Sequence, residues 1–288
     1  RLRPGALPSM ASLARPRPSR VLLWGAVAIV LWAGVRTAWR LQASVELTRL
    51  SEPLQRAPER PTLKLLIVGD STAVGTGASG PQASLAGLLA TAFPRLRIEN
   101  RARDGATFAT TAAQLDGDER FDLVLVMAGG NDVVRLRGLD DLRSDVERVL
   151  HRARERGALV VLMPAGNVGN APFFLPPVSW LMTWRSRRLH AFVDAAASRQ
   201  GAVVVDLFRE RADDPFVQRP GLNAADGLHP GDAGYRVWFG ELMAQAEVRQ
   251  RLSVALAPDR AASPLEAVAA SSGRGDAVSP TEPNRPER

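Results

Sequence analysis

The stretch Leu63-Lys-Leu-Leu-Ile-Val-Gly-Asp-Ser-Thr72 decides the architecture. Its run from Leu65 to Val68 has the length and branching of a strand buried in a parallel sheet. The run stops at Gly69-Asp70-Ser71, a turn cluster that carries a hydroxyl. Sites in open α/β sheets form at the carboxyl ends of strands, so Ser71 stands where chemistry is expected. Taken alone, the tripeptide reads as a turn with a helix N-cap. The residues that change this reading lie far downstream, at Asp226-Gly-Leu-His229.

Outward from that stretch, strand-like apolar runs recur at 64–69, 95–99, 121–127, 158–163 and 202–207. Helical periodicity falls between them. Leu139, Leu142, Val146, Val149, Leu150 and Ala153 form one face of a helix that ends at Gly157. Residues 82–93, 178–200 and 233–256 also read as helices. Strands alternating with helices imply right-handed βαβ units, and hence a three-layer α/β domain around a central parallel sheet of about five strands. The domain is expected over residues 63–256.

The flanks differ in composition. Residues 1–20 are rich in Arg and Pro and are expected to be disordered. Val21 to Val35 is an unbroken apolar run between Arg20 and Arg36. At 1.5 Å per residue it spans about 22 Å, less than a hydrocarbon core of about 30 Å. Snorkelling arginines and Thr37-Ala38-Trp39 lengthen it, so residues 21–39 read as a signal anchor or a signal peptide. No small-x-small cleavage site follows Val35 directly, which favours an anchor with the domain outside the cytoplasm, periplasmic or extracellular. A secreted protein is the alternative. Residues 40–62, with Pro53, Pro58 and Pro61, read as a linker, and 257–288 as a disordered tail.

Composition excludes several classes of function. The 288 residues include no cysteine, which removes disulfides, thiolate metal sites and a cysteine nucleophile. The three histidines, His151, His190 and His229, never fall at His-x-x-x-His spacing, so no metal site is expected. His151 and His190 lie in helical stretches among arginines and read as surface residues. The net charge of +7 comes from scattered arginines, Lys64 being the only lysine, and this is not the basic patch that nucleic-acid binding requires.

Four strand ends carry candidate chemistry. Serine needs a base to take its proton, and a histidine base needs an acid on its other nitrogen. Asp226 and His229, three apart in a Gly-rich turn before a helix, can supply both. Asn131, in Ala128-Gly129-Gly130-Asn131-Asp132, can donate its amide to an oxyanion. Gly105, in Asn100-Arg-Ala-Arg-Asp-Gly105-Ala-Thr107, lets a backbone N–H approach a substrate. Each has a plainer reading as a turn or cap.

In this order the four blocks resemble the SGNH hydrolases, or GDSL esterases. Gly69-Asp70-Ser71 matches the nucleophile block and Gly105 the glycine block. Gly129-Gly130-Asn131-Asp132 matches the Gly-x-Asn-Asp block, and Asp226-x-x-His229 with Pro230-Gly-Asp-Ala-Gly-Tyr235 the last block. The resemblance covers about residues 64–245. It implies a flavodoxin-like domain and a cofactor-free, metal-free ester hydrolase with Ser71, Asp226 and His229 as triad. The oxyanion hole would combine the N–H groups of Ser71 and Gly105 with the Asn131 side chain. Asp70 and Asp132 are left with positioning roles at most. One departure is Thr72, where the family often has Leu; it is expected to affect packing behind the nucleophile. The implied partner is a small-molecule, glycan or lipid ester. An acyltransferase acting on an envelope glycan and a non-catalytic binding module are the alternatives.

Two other folds fit less well. An α/β-hydrolase needs Gly-x-Ser-x-Gly, which Gly69-Asp-Ser71-Thr-Ala73 fails. A dinucleotide fingerprint at Gly75-Thr-Gly77-Ala-Ser-Gly80 begins too late after its strand. The loop holding Asn167, Asn170, Phe173 and Phe174 is expected to shape an acyl or alcohol pocket.

Overall fold

The computed structural model describes residues 18–248 and 250. Strands β1 (Leu63–Gly69) and β3 (Phe121–Met127) are apolar along most of their length because both faces are covered. Leu65, Ile67, Leu123 and Leu125 point to one layer, built with α3 (Leu85–Ala92) and α9 (Asp232–Gln245). Leu66, Val68, Val124 and Val126 point to the other, built with α6 (Leu139–Arg156) and α7 (Val178–Gln200). This is the period of two that a pleated strand imposes. Each fully buried aliphatic side chain contributes about 1.5–3 kcal/mol, so the two layers carry most of the domain's stability.

With β2 (Leu96–Asn100), β4 (Gly157–Leu162) and β5 (Val203–Val204), the sheet has the order β2-β1-β3-β4-β5, parallel throughout. The expected three-layer α/β domain with about five strands is therefore present. The chain leaves β1 toward β2 and returns on the other side as β3, which makes β1 and β3 the topological switch point. In such sheets the crevice opens there, at the carboxyl ends.

Some boundaries differ from the sequence reading. Only Val203 and Val204 of the run 202–207 form a strand, although Val205 still donates its N–H to the Leu162 carbonyl. The helix expected from 82 starts as a tight turn, Pro81–Ala83. The α3 helix proper then begins after Ser84, whose hydroxyl accepts the Gly87 N–H. The helix α9 ends at Gln245. The expected end of the domain at 256 and the tail 257–288 lie outside the described residues, as do residues 1–17.

The largest difference is at the N-terminal side. The helix α1 runs without a break from Pro18 to Leu50, across residues expected to be disordered at 18–20 and to be linker from 40. No Gly or Pro falls between Val35 and Pro53, and the intervening residues are mostly good helix formers, so the helix propagates to the first breaker. The remainder of the expected linker is docked. Arg56 pairs antiparallel with Ile98, and the Gln55 amide exchanges hydrogen bonds with the Asn100 backbone. By length and composition α1 can cross a membrane, with mean hydropathy 1.5 over its most apolar 18-residue stretch.

Candidate active site

Gly69 ends β1 with φ of +143°, and any Cβ there would collide with the Met127 carbonyl of the neighbouring strand. Only glycine lets β1 stay paired to its last residue and then turn sharply. Buried Gln114 fixes this point by accepting the Gly69 N–H at 2.7 Å and donating to its carbonyl at 3.0 Å. The chain then enters α2 (Ser71–Val74), capped by Asp70, whose Oδ1 accepts the Thr72 N–H and hydroxyl. Ser71 is thus the first helical residue, at the carboxyl edge of the sheet.

Across the edge, the loop before α9 brings Asp226 and His229 to the same point. Asp226 is fully buried. Its Oδ1 accepts the N–H groups of Leu228 at 2.9 Å and His229 at 3.1 Å. Its Oδ2 lies 2.6 Å from His229 Nδ1. Burial by itself would raise the Asp226 carboxyl, but the His229 imidazole and the two backbone donors hold it below its usual value. An ionised carboxylate can only accept, so Nδ1 carries the proton and Nε2 presents a lone pair. That lone pair faces the Ser71 hydroxyl at 2.9 Å. Tyr235, wholly buried, locks this arrangement from α9 by donating to the Thr76 carbonyl at 2.9 Å.

Asn131 lies in α5 (Gly130–Val134), directly after β3. Its Nδ2 donates to the Ala106 carbonyl at 3.1 Å, which ties the Asn131 block to the Gly105 block. The N–H groups of Ser71 and Gly105 have no hydrogen-bond partner among the described residues. Ser71, Gly105, Asn131 and His229 line one cavity of about 390 Å³. All five expected site residues therefore meet at the switch point between β1 and β3, with Asp226 behind His229.

Several residues play parts that the sequence reading did not give them. Thr72 lines the cavity and bonds Asp70, rather than packing behind the nucleophile. Asn167 and Asn170 line the cavity and both donate to the Arg209 carbonyl, but Phe174 lines a separate cavity with Arg36 and Trp180. His190 is a correction: it is buried, with Nε2 2.9 Å from the Ala165 carbonyl and Nδ1 3.2 Å from Asp206. Its flanking arginines suggested exposure, but it sits on the inward face of α7 beside Leu189 and Val193. His151 is exposed. Gly77 belongs to no phosphate loop. With φ of +95°, it packs against the Pro230 carbonyl and within 3.0 Å of His229 Cβ for any added Cβ. Ser44 and Thr48 of α1, in the stretch whose composition suggested a linker, also line the cavity.

Asp70 and Asp132 form a buried acidic pair behind the site, and neither hydrogen-bonds His229. Burial, and then the proximity of Asp70, push Asp132 up to about 6 against the single Phe108 N–H that it accepts. Asp70 is raised too, again by burial. Because the folded value of Asp132 exceeds its unfolded one, the native state keeps a proton that the unfolded chain releases. Its contribution to stability is therefore full below pH 4 and is lost as pH rises to about 6. Asp132→Asn removes this loss. The melting temperature of the variant relative to wild type should climb between pH 4 and 7, by the equivalent of about 1–3 kcal/mol. A difference independent of pH would contradict the assignment.

Comparison with known proteins agrees with this architecture. The model of the GDSL-like Lipase/Acylhydrolase family matches residues 67–237. The GDSL-like esterase Rv1075c of Mycobacterium tuberculosis is 32% identical over 200 residues, 65% of this chain and 63% of that protein. The chain thus spans just under two thirds of that relative's length. Esterase TesA of Pseudomonas aeruginosa is 30% identical over 175 residues, 58% of this chain and 79% of that protein. Among solved structures, TesA superposes with a TM-score of 0.51 at 23% identity, over 64% of this chain and 98% of that one. The enzyme LAE5 from the Lake Arreo metagenome superposes with a TM-score of 0.52 at 23% identity, over 65% and 96%. These structures share the fold. With four ordered blocks gathered at one sheet edge and a family match across most of the α/β domain, the chain belongs to the GDSL-like lipase/acylhydrolase family, a family of ester hydrolases.

Proposed function

We propose that the protein is a carboxylic ester hydrolase in which Ser71 is the nucleophile. The observation that carries this reading is the unbroken line from Asp226 Oδ2 through His229 to Ser71 Oγ, with steps of 2.6 and 2.9 Å. His229 takes the Ser71 proton as Oγ attacks the ester carbonyl, and Asp226 stabilises the imidazolium. The tetrahedral oxygen receives the free N–H groups of Ser71 and Gly105 and the Asn131 amide. His229 then protonates the leaving alcohol. A water, activated in the same way, releases the acid. The cavity volume suits an acyl or alcohol group of modest size. The helix α1 would anchor the enzyme in a membrane with the domain outside the cytoplasm.

The test is turnover of p-nitrophenyl esters of rising chain length, set beside an acetylated polysaccharide, by wild type and Asn131→Ala. The wild type should turn over at least one of these esters. The variant should lose about 10²–10³-fold in kcat with little change in KM, because the donor acts most strongly on charge that develops in the transition state. Loss of the bond to Ala106 should cost only about 1 kcal/mol of stability. A variant with wild-type kcat and a lowered melting temperature would reduce Asn131 to a turn residue. A wild type inactive on every ester would refute hydrolysis.

A further inference from the structure

The N-terminal turns of α7 carry an apolar surface that the catalytic reading does not use. Val178, Trp180, Leu181 and Trp184 are 48, 69, 43 and 42% exposed, whereas Met182 and Leu189 of the same helix are buried. Positions 180, 181 and 184 are three and four apart, so they share one face. The guanidinium of Arg188 lies over the Trp184 ring.

This face is placed relative to α1 by direct contacts. Arg36 closes the apolar run Val21 to Val35, in which the large side chains from Leu22 onward are exposed. Its guanidinium donates to the carbonyls of Pro172 and Phe173, the latter at 3.3 Å, and it shares a cavity with Trp180. The end of the apolar helix and the start of α7 therefore lie at one level. Eight to twelve residues further along α1, Ser44 and Thr48 reach the catalytic cavity. At 1.5 Å per residue they stand roughly 12–18 Å beyond Arg36. A headgroup layer is about 5–8 Å deep on each side of the bilayer, so a membrane whose hydrocarbon ends near Arg36 would meet the α7 face before the catalytic cavity.

We propose that Val178, Trp180, Leu181 and Trp184 form a membrane-docking face that sits in the bilayer interface beside α1 and holds the catalytic cavity just above the headgroups. Tryptophan with neighbouring aliphatic and arginine side chains is the composition that an interfacial site selects. A single helix would let the domain swivel. A second contact, fixed to α1 through Arg36, sets its orientation. The inference rests on α1 being a membrane anchor, and the experiment separates the two.

The chain has no cysteine, so single cysteines can be spin-labelled in the full-length protein without background. Val30→Cys reports the anchor, Leu181→Cys and Trp184→Cys the docking face, and Ser144→Cys on the exposed face of α6 the aqueous reference. In nanodiscs of phosphatidylcholine and phosphatidylglycerol, labels at 30, 181 and 184 should be relaxed more by oxygen than by a water-soluble nickel chelate, with the reverse at 144. Oxygen preference at 30 with nickel preference at 181 and 184 overturns docking and leaves the anchor standing. Nickel preference at all three overturns both. Spin–spin broadening at 181 and 184 that disappears on dilution with unlabelled protein means a second copy covers the face, and this also overturns docking. Matched circular dichroism and melting curves for all variants exclude misfolding as the cause.

Discussion

Ser71→Ala is expected to lower kcat by about 10⁶-fold and to abolish covalent labelling by a fluorophosphonate. The size of the effect follows from what is removed. The hydroxyl is the only group in the constellation that can form the acyl-enzyme, and His229 and Asp226 act through it. Without it, the N–H groups of residues 71 and 105 and the Asn131 amide can still bind a carbonyl. A residual rate of about 10³–10⁴-fold over water is then expected from those donors and from binding. The fold should tolerate the change. Alanine is a good helix former at the first position of α2, and the lost bond to His229 costs about 1 kcal/mol. Measuring kcat, labelling and melting temperature on one preparation decides the matter. A folded Ser71→Ala protein that keeps wild-type turnover would show that Ser71 is not the nucleophile.

The parts of the molecule that were legible in the sequence are those whose signal is local. The strands β1 and β3 announce themselves because burial on two faces demands consecutive apolar residues. The four blocks stand out because each is a short turn at a strand end, where glycine, a small hydroxyl or an Asn is forced by geometry at that point. Gly69 is the plainest case, since its neighbour is the Met127 carbonyl and nothing larger fits. What was not legible depends on partners distant in sequence. The burial of His190 is set by Ala165 and Asp206 across the sheet edge, not by the arginines beside it. Gln114, which pins the end of β1, lies in an unremarkable turn with no pattern to mark it. The short β5 lies at the sheet's edge, where one neighbour is missing and the apolar run outlasts the pairing. The continuation of α1 to Leu50 was hidden because the prolines at 53, 58 and 61 suggested a linker, and the helix simply extends to the first of them. Its role as a wall of the cavity comes from Ser44 and Thr48, two small polar residues that carry no signal of their own.

Asp226→Asn should lower kcat by about 10⁴-fold while leaving the fold in place, and the structure gives the reason in detail. An asparagine at 226 has two possible orientations. In one, its carbonyl oxygen takes the place of Oδ1 and accepts the N–H groups of Leu228 and His229, as the carboxylate does now. In the other, its NH₂ group faces those two donors, which sets donor against donor at a fully buried point. The first orientation wins. The NH₂ group then points at His229 Nδ1, which must become the acceptor and give up its proton. In the neutral ring the proton moves to Nε2, directly opposite the Ser71 hydroxyl. Nε2 then carries a hydrogen where a lone pair is needed, so the base is disabled although no atom has moved far. Loss of the charge also removes the stabilisation of the imidazolium that forms as Ser71 is deprotonated. Labelling of Ser71 by a fluorophosphonate should slow by a similar factor, because that reaction uses the same base. The melting temperature should change little, since the loop keeps both backbone hydrogen bonds. Rising pH should recover part of the labelling as hydroxide replaces the lost base. If Asp226 were only a cap for its loop, Asn would serve equally well and kcat would stay near wild type.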